Sequence, residues 1–523
     1  MAQNWSWVKR VAIAAVAIGL VLRFANLDRK VYWHDEVYTS LRVAGYVGPA
    51  VAAAVSDRPD LTAADLLRYQ QMPPAPSLTD CWDSLSANPE HPPLYYLLAH
   101  GWGRLFGASV GGYRAIAAVF GAIALPVMFW LARQLFPLPS PIPWVATALL
   151  ALSPVQLIYS QEAREYTLWI VGLLLAHGTL VRALQQKTAW AWVAYGWAMG
   201  LTWYGSLMTV LLGLSHLVFV ALSQRSRRSW LGFGLAHGLG LGLFLPWIVT
   251  IVSQWGRLQA VTAWTREPRP LGFLAQLWGL HYSAAVVDFN LPLDHPFTVA
   301  GPTLVLGLGA VGLGYLWRNY PRSTVLFLAC GLLVPPLVLI GSDIVRAGQL
   351  SRNTRYFLPS LVLMPLAIAP LITHGLTSPQ RWMKGVGATL LALLLALGLA
   401  SGMVNNRAST WWSKAFSSSN HSIAAYLNQV EAPVLMLEET GIALGEAISL
   451  SHYLRPETTI WLLPDRSLPT STQLQAAYPQ GTLILLRPTP TLLETVPPGW
   501  QTAPATDATQ FAPTDLVRLT PPG

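Results

Sequence analysis

Apolar runs separated by short polar turns fill most of the chain from residue 9 to residue 404. Each run approaches or reaches the roughly 18 apolar residues that carry a helix across a bilayer. The pattern predicts about eleven such helices, over 9–26, 112–135, 142–159, 166–184, 189–205, 206–223, 230–252, 299–317, 323–341, 357–375 and 385–404.

Charge tests that register, because short cytoplasmic loops collect Lys and Arg. With Lys9 and Arg10 inside, the alternate turns hold Arg133; Arg182 and Lys187; Arg225, Arg227 and Arg228; Arg318 and Arg322; and Arg381 and Lys384, and none of these turns carries Asp or Glu. One more apolar stretch, HPPLYYLLAHGWGRLFG over 91–107, is left out of the count. Crossing there would put every later basic turn outside, and the stretch opens on two prolines and carries His100 and Arg104. It predicts a helix lying in or dipping into the outer interface.

The outer side then gathers a first loop of about 27–111, the turn 159–166, the loops 253–298 and 342–356, and a tail from 405 to 523. In the tail, the runs VLMLE (434–438), TIWLL (459–463) and TLILL (482–486) alternate with polar, helix-like stretches. That alternation predicts a small α/β domain outside the membrane. The last thirty or so residues, rich in Pro and Thr, read as irregular. The expected architecture is an all-α polytopic membrane domain over 1–404, with interfacial helices in its loop 27–111, and an extracytoplasmic α/β domain over 405–523.

Composition agrees. Of 523 residues 53% are hydrophobic and only 11% charged, against about 25% charged in soluble chains. Trp5, Trp7, Trp33, Trp230 and Trp247 sit at the ends of apolar runs, where an interfacial aromatic belt is expected. The net charge of +9 lies mainly in the orienting turns and implies no nucleic-acid partner. Cys81 in a loop and Cys330 in a span are not expected to pair, and no metal-ligand cysteine spacing exists. The N-terminal basic-apolar segment is read as an uncleaved first helix.

Four polar stretches on the outer side carry candidate chemistry. His34-Asp35-Glu36 follows the first span; it is either a solvated helix cap or a general base beside a second acid. NPEHPPLYY fixes Glu90 and His91 directly before an apolar helix; it is either a rigid loop that merely enters an interfacial helix or a functional polar pair. The turn YSQEAREY packs Glu162, Arg164 and Glu165 before Tyr166; either it is an internal salt bridge, or Arg164 recognises a phosphate or carboxylate. SRNTRYFLP places Arg352, Arg355 and Tyr356 at the outer start of a span, against the positive-inside trend; such arginines snorkel or bind an anion of the outer leaflet. His177, His216 and His237 lie within spans and read as helix-packing residues. His281 and Tyr282 are weaker candidates for lining a substrate groove, and Asn420-His421-Ser422 matches a glycosylation acceptor.

Taken in order, the HDE pair, EHPPLYYLL leading to LFG, YSQEAREYTL and RYFLP resemble bacterial glycosyltransferase family 39. This is a branch of the GT-C superfamily that also holds protein O-mannosyltransferases and lipid A aminoarabinose transferases. The resemblance covers roughly residues 1–375. It implies a multi-pass enzyme of the bacterial cytoplasmic membrane, using a polyprenyl-phosphate sugar, with its active site and C-terminal domain on the periplasmic or extracellular side. It implies Asp35 as the catalytic base or acceptor-binding acid, with Glu36 beside it as a second catalytic candidate. Glu90, His91, Glu162, Arg164, Tyr166, Arg355 and Tyr356 would bind substrate and phosphate, and transfer would invert the sugar carbon. The acceptor (protein, lipid or glycan) stays open, because the first loop carries an unusual insertion over about 45–88 and the C-terminal domain is not the sugar-binding domain of eukaryotic relatives. No cofactor is demanded, although carboxylates beside a phosphate are able to hold a divalent metal.

The rival expectation is a transporter or flippase for a lipid-linked or anionic solute, which needs ionisable residues near the bilayer midplane. The enzymatic expectation instead needs the stretches around Asp35, Glu162 and Arg355 to converge in one wet cavity.

Overall fold

The computed structural model describes residues 6–136, 138–464, 467–478, 481–505 and 515–522. Trp5, assigned above to the interfacial belt, lies outside the described residues, as does the stretch 506–514 of the tail. The chain divides into two compact units. The first holds 1–27, 86–95 and 114–407; the second holds 28–85, 96–113 and 408–523. Most of the first outer loop therefore belongs with the C-terminal α/β region, not with the helices, as the boundary at 404 had implied.

The first unit is helical. Every apolar run predicted to cross falls on a helix or a bent helix pair, from Ser6–Phe24 to Arg381–Arg407. Among the described residues six helices are individually long and apolar enough to span a membrane, or up to eight if each of two bent pairs counts as one crossing. Ser6–Phe24 stands outside that set because it carries Lys9, Arg10 and Arg23. Ala189–Gly205 and Thr209–Ser223 are shorter, at 17 and 15 residues. The protein is a multi-pass membrane protein of mostly helical fold.

The bend between Ile142–Ala151 and Pro154–Ser160, 54°, has a local cause. Pro154 has no N–H to give to the Leu150 carbonyl. Val155 N–H turns away to the Ala284 carbonyl instead of Ala151. The buried Arg23 guanidinium supplies the missing donors, reaching the Ala151 carbonyl at 2.7 Å and that of Leu150 at 3.4 Å. The first helix ends against the same region. Gln161 Nε2 donates to the carbonyls of Leu22 (2.7 Å) and Ala25 (2.9 Å), and Asn406 Nδ2 reaches the same two at 3.0 and 3.1 Å. These caps satisfy carbonyls that a helix end leaves bare, and they fix where the polar turn 161–165 begins.

Deeper in the bundle, His177, His216 and Tyr195 link three helices: His216 Nε2 meets His177 Nδ1 at 2.9 Å, and His216 Nδ1 meets the Tyr195 hydroxyl at 2.8 Å. Interhelical hydrogen bonds of this kind tie helices together where water is scarce. Two residues expected in the aromatic belt are not there. Trp247 is fully buried in the first unit, and Trp33 is buried in the second.

The second unit is built on a five-stranded sheet in the order β2-β1-β3-β5-β4, with β1 (Pro433–Glu438), β2 (Thr459–Leu463), β3 (Thr482–Leu486), β4 (Gln501–Pro504) and β5 (Leu516–Thr520). β1 pairs in parallel with β2 and β3, while β5 runs antiparallel to β3 and β4. The three predicted strand runs are β1, β2 and β3. The tail expected to be irregular supplies β4 and β5, because Val517 and Leu519 turn one side of β5 against a core of Val434, Met436, Leu483 and Leu485.

The insertion 45–88 is knitted to this sheet. Asp57 N–H bonds the Leu462 carbonyl (3.0 Å), Ile460 N–H bonds that of Leu61 (2.9 Å), and Ala63 N–H bonds that of Thr458 (2.9 Å). It thus covers the outer edge of β2, an edge that would otherwise present bare backbone groups. Asn420 is buried, with its amide on Ser449 Oγ at 2.9 Å. The glycosylation match is therefore a packed core residue.

Candidate active site

The turn Gln161–Glu165 joins the helices Pro154–Ser160 and Tyr166–Gln186. Its sequence is polar, yet every residue in it is buried. Burial forces its charges to find partners. Arg164 Nη2 donates to Glu165 Oε1 at 3.2 Å and lies 3.4 Å from His91 Nδ1. His91 also lies 3.8 Å from Glu165 Oε1 through Nδ1 and 3.5 Å from Glu90 Oε1 through Nε2. Glu90 and His91 are held in place from below: Trp247 Nε1 donates to the Pro89 carbonyl at 3.2 Å, and His91 N–H closes a turn on the Asn88 carbonyl.

Burial alone would push the Glu165 carboxyl up. Arg164 and His91 outweigh it and draw it down to about 2. The charged form of Glu165 is thus favoured beside Arg164, to which it is hydrogen-bonded.

Tyr166 opens the next helix and stands between two guanidinium groups. Arg164 lies 5.6 Å and Arg355 5.8 Å from its ring centre. Arg355 Nη1 donates to the Tyr166 hydroxyl at 2.9 Å, a contact between residues 189 positions apart. Arg355 also lies 5.6 Å from the Tyr356 ring, and Tyr159 packs edge-on against Tyr166 at 4.7 Å. Glu162, buried at 1% exposure, is within electrostatic reach of Tyr159, as are Arg355 and Tyr356. Arg355 and Tyr356 are half-buried, so water or a ligand reaches them; Arg352 points outward and bonds Gln349.

Of the predicted site residues, the first unit thus brings together Glu90, His91, Glu162, Arg164, Tyr166, Arg355 and Tyr356. Sequence reasoning underrated Glu165 by treating it as one charge among three; its position next to Arg164 was the available signal. His281 and Tyr282, expected to line a groove, are both buried. His281 uses both ring nitrogens on the segment before Arg355, and Tyr282 bonds Ser360 Oγ at 2.8 Å.

Asp35 and Glu36 belong to the second unit, in the first turn of the helix His34–Val43, where a helix N-terminus favours negative charge. Their environments differ. Glu36 is fully buried and meets Lys414 Nζ at 2.9 Å, with that ammonium also 5.5 Å from the Trp33 ring. Asp35 is half-buried. Among the described residues no group of three or more His, Cys, Asp or Glu side chains is arranged to hold a metal ion.

Residues 90–253, less than half the chain, match the dolichyl-phosphate-mannose-protein mannosyltransferase family model. An undecaprenyl phosphate-alpha-4-amino-4-deoxy-L-arabinose arabinosyl transferase from Pseudomonas savastanoi pv. phaseolicola is 26% identical over 324 residues, 59% of this chain and 56% of that protein. A second such transferase, from Pseudomonas fluorescens, is 26% identical over 65% of this chain and 59% of its own length. The chain thus aligns with somewhat more than half the length of these relatives. ArnT from Cupriavidus metallidurans, solved bound to undecaprenyl phosphate, superposes with a TM-score of 0.54 at 12% identity, covering 99% of this chain and 98% of that one. The archaeal oligosaccharyltransferase AglB from Archaeoglobus fulgidus, solved with an inhibitory peptide and a dolichol-phosphate, gives 0.51 at 12% identity over 93% of this chain and 70% of its own. The fold is like that of these two solved structures, and the chain resembles the undecaprenyl phosphate aminoarabinose arabinosyl transferases.

Proposed function

We propose that the protein is a membrane glycosyltransferase that moves a sugar from a polyprenyl-phosphate donor to an acceptor hydroxyl. The observation that carries this reading is the pair of guanidiniums, Arg164 and Arg355, gathered around Tyr166 from distant parts of the chain. Two planar cations on aromatic faces suit a phosphate, since each fork offers parallel donors to its oxygens. The polyprenyl phosphates bound to ArnT and AglB support the same donor class.

In this reading the acceptor oxygen attacks the anomeric carbon as the bond from that carbon to the phosphate oxygen breaks. The electron pair leaves with the polyprenyl phosphate. Arg164 and Arg355 stabilise the charge that grows there. The acceptor proton passes to a carboxylate, which we assign to Asp35 and not to Glu36, whose charge is committed to Lys414. In-line displacement inverts the sugar carbon. No step is routed through a metal ion.

The finer architecture belongs to the same proposal: eleven crossings, the N-terminus in the cytoplasm of a bacterial inner membrane, and the 161–166 turn and the second unit on the opposite side. The acceptor is left as a hydroxyl of a lipid, glycan or protein. No observation favours carriage of a lipid-linked solute; the charges of the site gather at helix ends and turns.

Mass spectrometry of lipid that copurifies with the full chain tests the donor class. A polyprenyl phosphate, with or without sugar, is the expected result, and its absence together with failure to bind added undecaprenyl phosphate would overturn the reading. Asp35→Asn tests the base: transfer should fall by about 10²- to 10⁴-fold with the melting temperature unchanged. Wild-type turnover in that variant would remove Asp35 from the mechanism.

A further inference from the structure

The segment that delivers Arg355 is held more tightly than an outer loop requires. The helix Arg322–Arg346 stops at Ala347, whose φ of 53° is left-handed. Gly348 follows in a space where a Cβ would lie 2.7 Å from the Thr265 carbonyl oxygen and 3.1 Å from Asp343 Oδ1. Asp343, 2% exposed, then spends both carboxylate oxygens on backbone. Oδ1 accepts from Leu350 N–H at 2.8 Å and Oδ2 from Ser351 N–H at 2.6 Å. His281 takes the other side of Ser351, with Nε2 at 3.1 Å from its carbonyl oxygen and Nδ1 at 2.8 Å from Thr354 Oγ1. A carbonyl only accepts, so the ring proton sits on Nε2 and Nδ1 accepts from the Thr354 hydroxyl. Trp278 Nε1 donates to Ser351 Oγ at 2.7 Å. Ser351 is thus fixed at its N–H, its carbonyl and its hydroxyl, and Thr354 at its hydroxyl. The next residue is Arg355, aimed at Tyr166.

From this geometry we infer that Asp343 and His281 are positioning residues for the donor phosphate, acting through the Arg355 guanidinium by locking the turn 348–354. This rests on the proposed role of Arg355. A guanidinium on a loose turn must give up backbone and side-chain freedom each time it engages an anion; on a locked turn that loss has already occurred. A buried carboxylate on two backbone N–H groups is a strong lock, because charge-assisted bonds are roughly twice as strong as neutral ones.

The test measures binding of undecaprenyl phosphate to the purified full chain in two backgrounds. In the wild-type background Asp343→Asn should weaken binding about tenfold, since an amide nitrogen would face a backbone N–H. In the Arg355→Ala background the same change should add nothing. His281→Leu should behave like Asp343→Asn, and His281→Gln, which keeps a donor near the Nε2 position, should recover most of the loss. Equal losses in both backgrounds would show a merely structural role and overturn the inference. If Asp343→Asn does not fold, the Leu and Gln variants of His281 decide the matter in the same two backgrounds. An Arg355→Ala protein that binds the lipid as well as wild type would instead overturn the assigned role of Arg355, a distinct outcome.

Discussion

Each unit buries a charge cluster, and the two clusters are built on different plans. In the second unit Glu36 and Lys414, 0% and 1% exposed, meet at 2.9 Å as one acid and one base in a packed interior. In the first unit the turn 161–166 gathers Glu165, Arg164, His91 and Glu90 into a chain, and it adjoins the half-buried Arg355 across the Tyr166 ring. The first plan sets an ammonium directly on a carboxylate in the interior. The second links several charges in a chain across distant segments and ends at the half-buried Arg355. Buried charge alone therefore does not mark a site; what sets the first unit's cluster apart is its extension to a half-buried arginine.

The sharpest way to break the comparison is to delete one member of the closed pair. Glu36→Ala strands the Lys414 ammonium in the interior and should cost about 3–5 kcal/mol of stability, read as a large drop in melting temperature in detergent. Replacing Glu36 by Gln and Lys414 by Met together should recover most of it. If single and double variants melt alike, the pair is not the closed structural unit described.

Arg355→Ala should act on turnover. Transfer should fall about 10²- to 10³-fold, as when one donor to a developing oxyanion is lost, with little change in melting temperature. A variant that melts early but keeps full turnover per folded molecule would reverse the contrast between the clusters. Tyr166→Phe is gentler. It keeps the ring between the arginines and removes only the hydroxyl that accepts from Arg355, so a loss of about 1.5–3 kcal/mol in transition-state stabilisation is the ceiling, measured as kcat/KM.

The smallest effect is in pH. Glu165 has a carboxyl drawn down to about 2 from an ordinary 4.5. Its contribution to stability is therefore fully present above about 4.5 and is lost as pH falls toward 2. The Glu165→Gln variant should show a flatter dependence of melting temperature on pH through that window. At neutral pH its transfer activity should suffer through a misaimed Arg164, with KM for the donor rising more than kcat falls.

Some of this was legible one residue at a time. Hydropathy placed the helices because lipid leaves the backbone no alternative, and the runs at 434–438, 459–463 and 482–486 became β1, β2 and β3 because apolar side chains at strand spacing have to be buried. The polar turn 161–166 stood out for the same reason: charges are costly beside lipid, so their presence signals use. The tail misled because β4 is exposed along its whole length and β5 is five residues long, so neither carries a readable alternation.

The sequence by itself settled which segments are greasy, which are charged, and which few polar stretches need an explanation, since these follow from transfer free energies of individual residues. Only the tertiary structure decided that Glu36 closes on Lys414, 378 positions away, while Arg355 reaches Tyr166, and that Asp343 and His281 hold the turn between them and that contact. Such pairings depend on how helices cross and where loops return. No local pattern encodes that, because a carboxylate reads the same in sequence whether it ends a helix, locks a turn or meets a substrate.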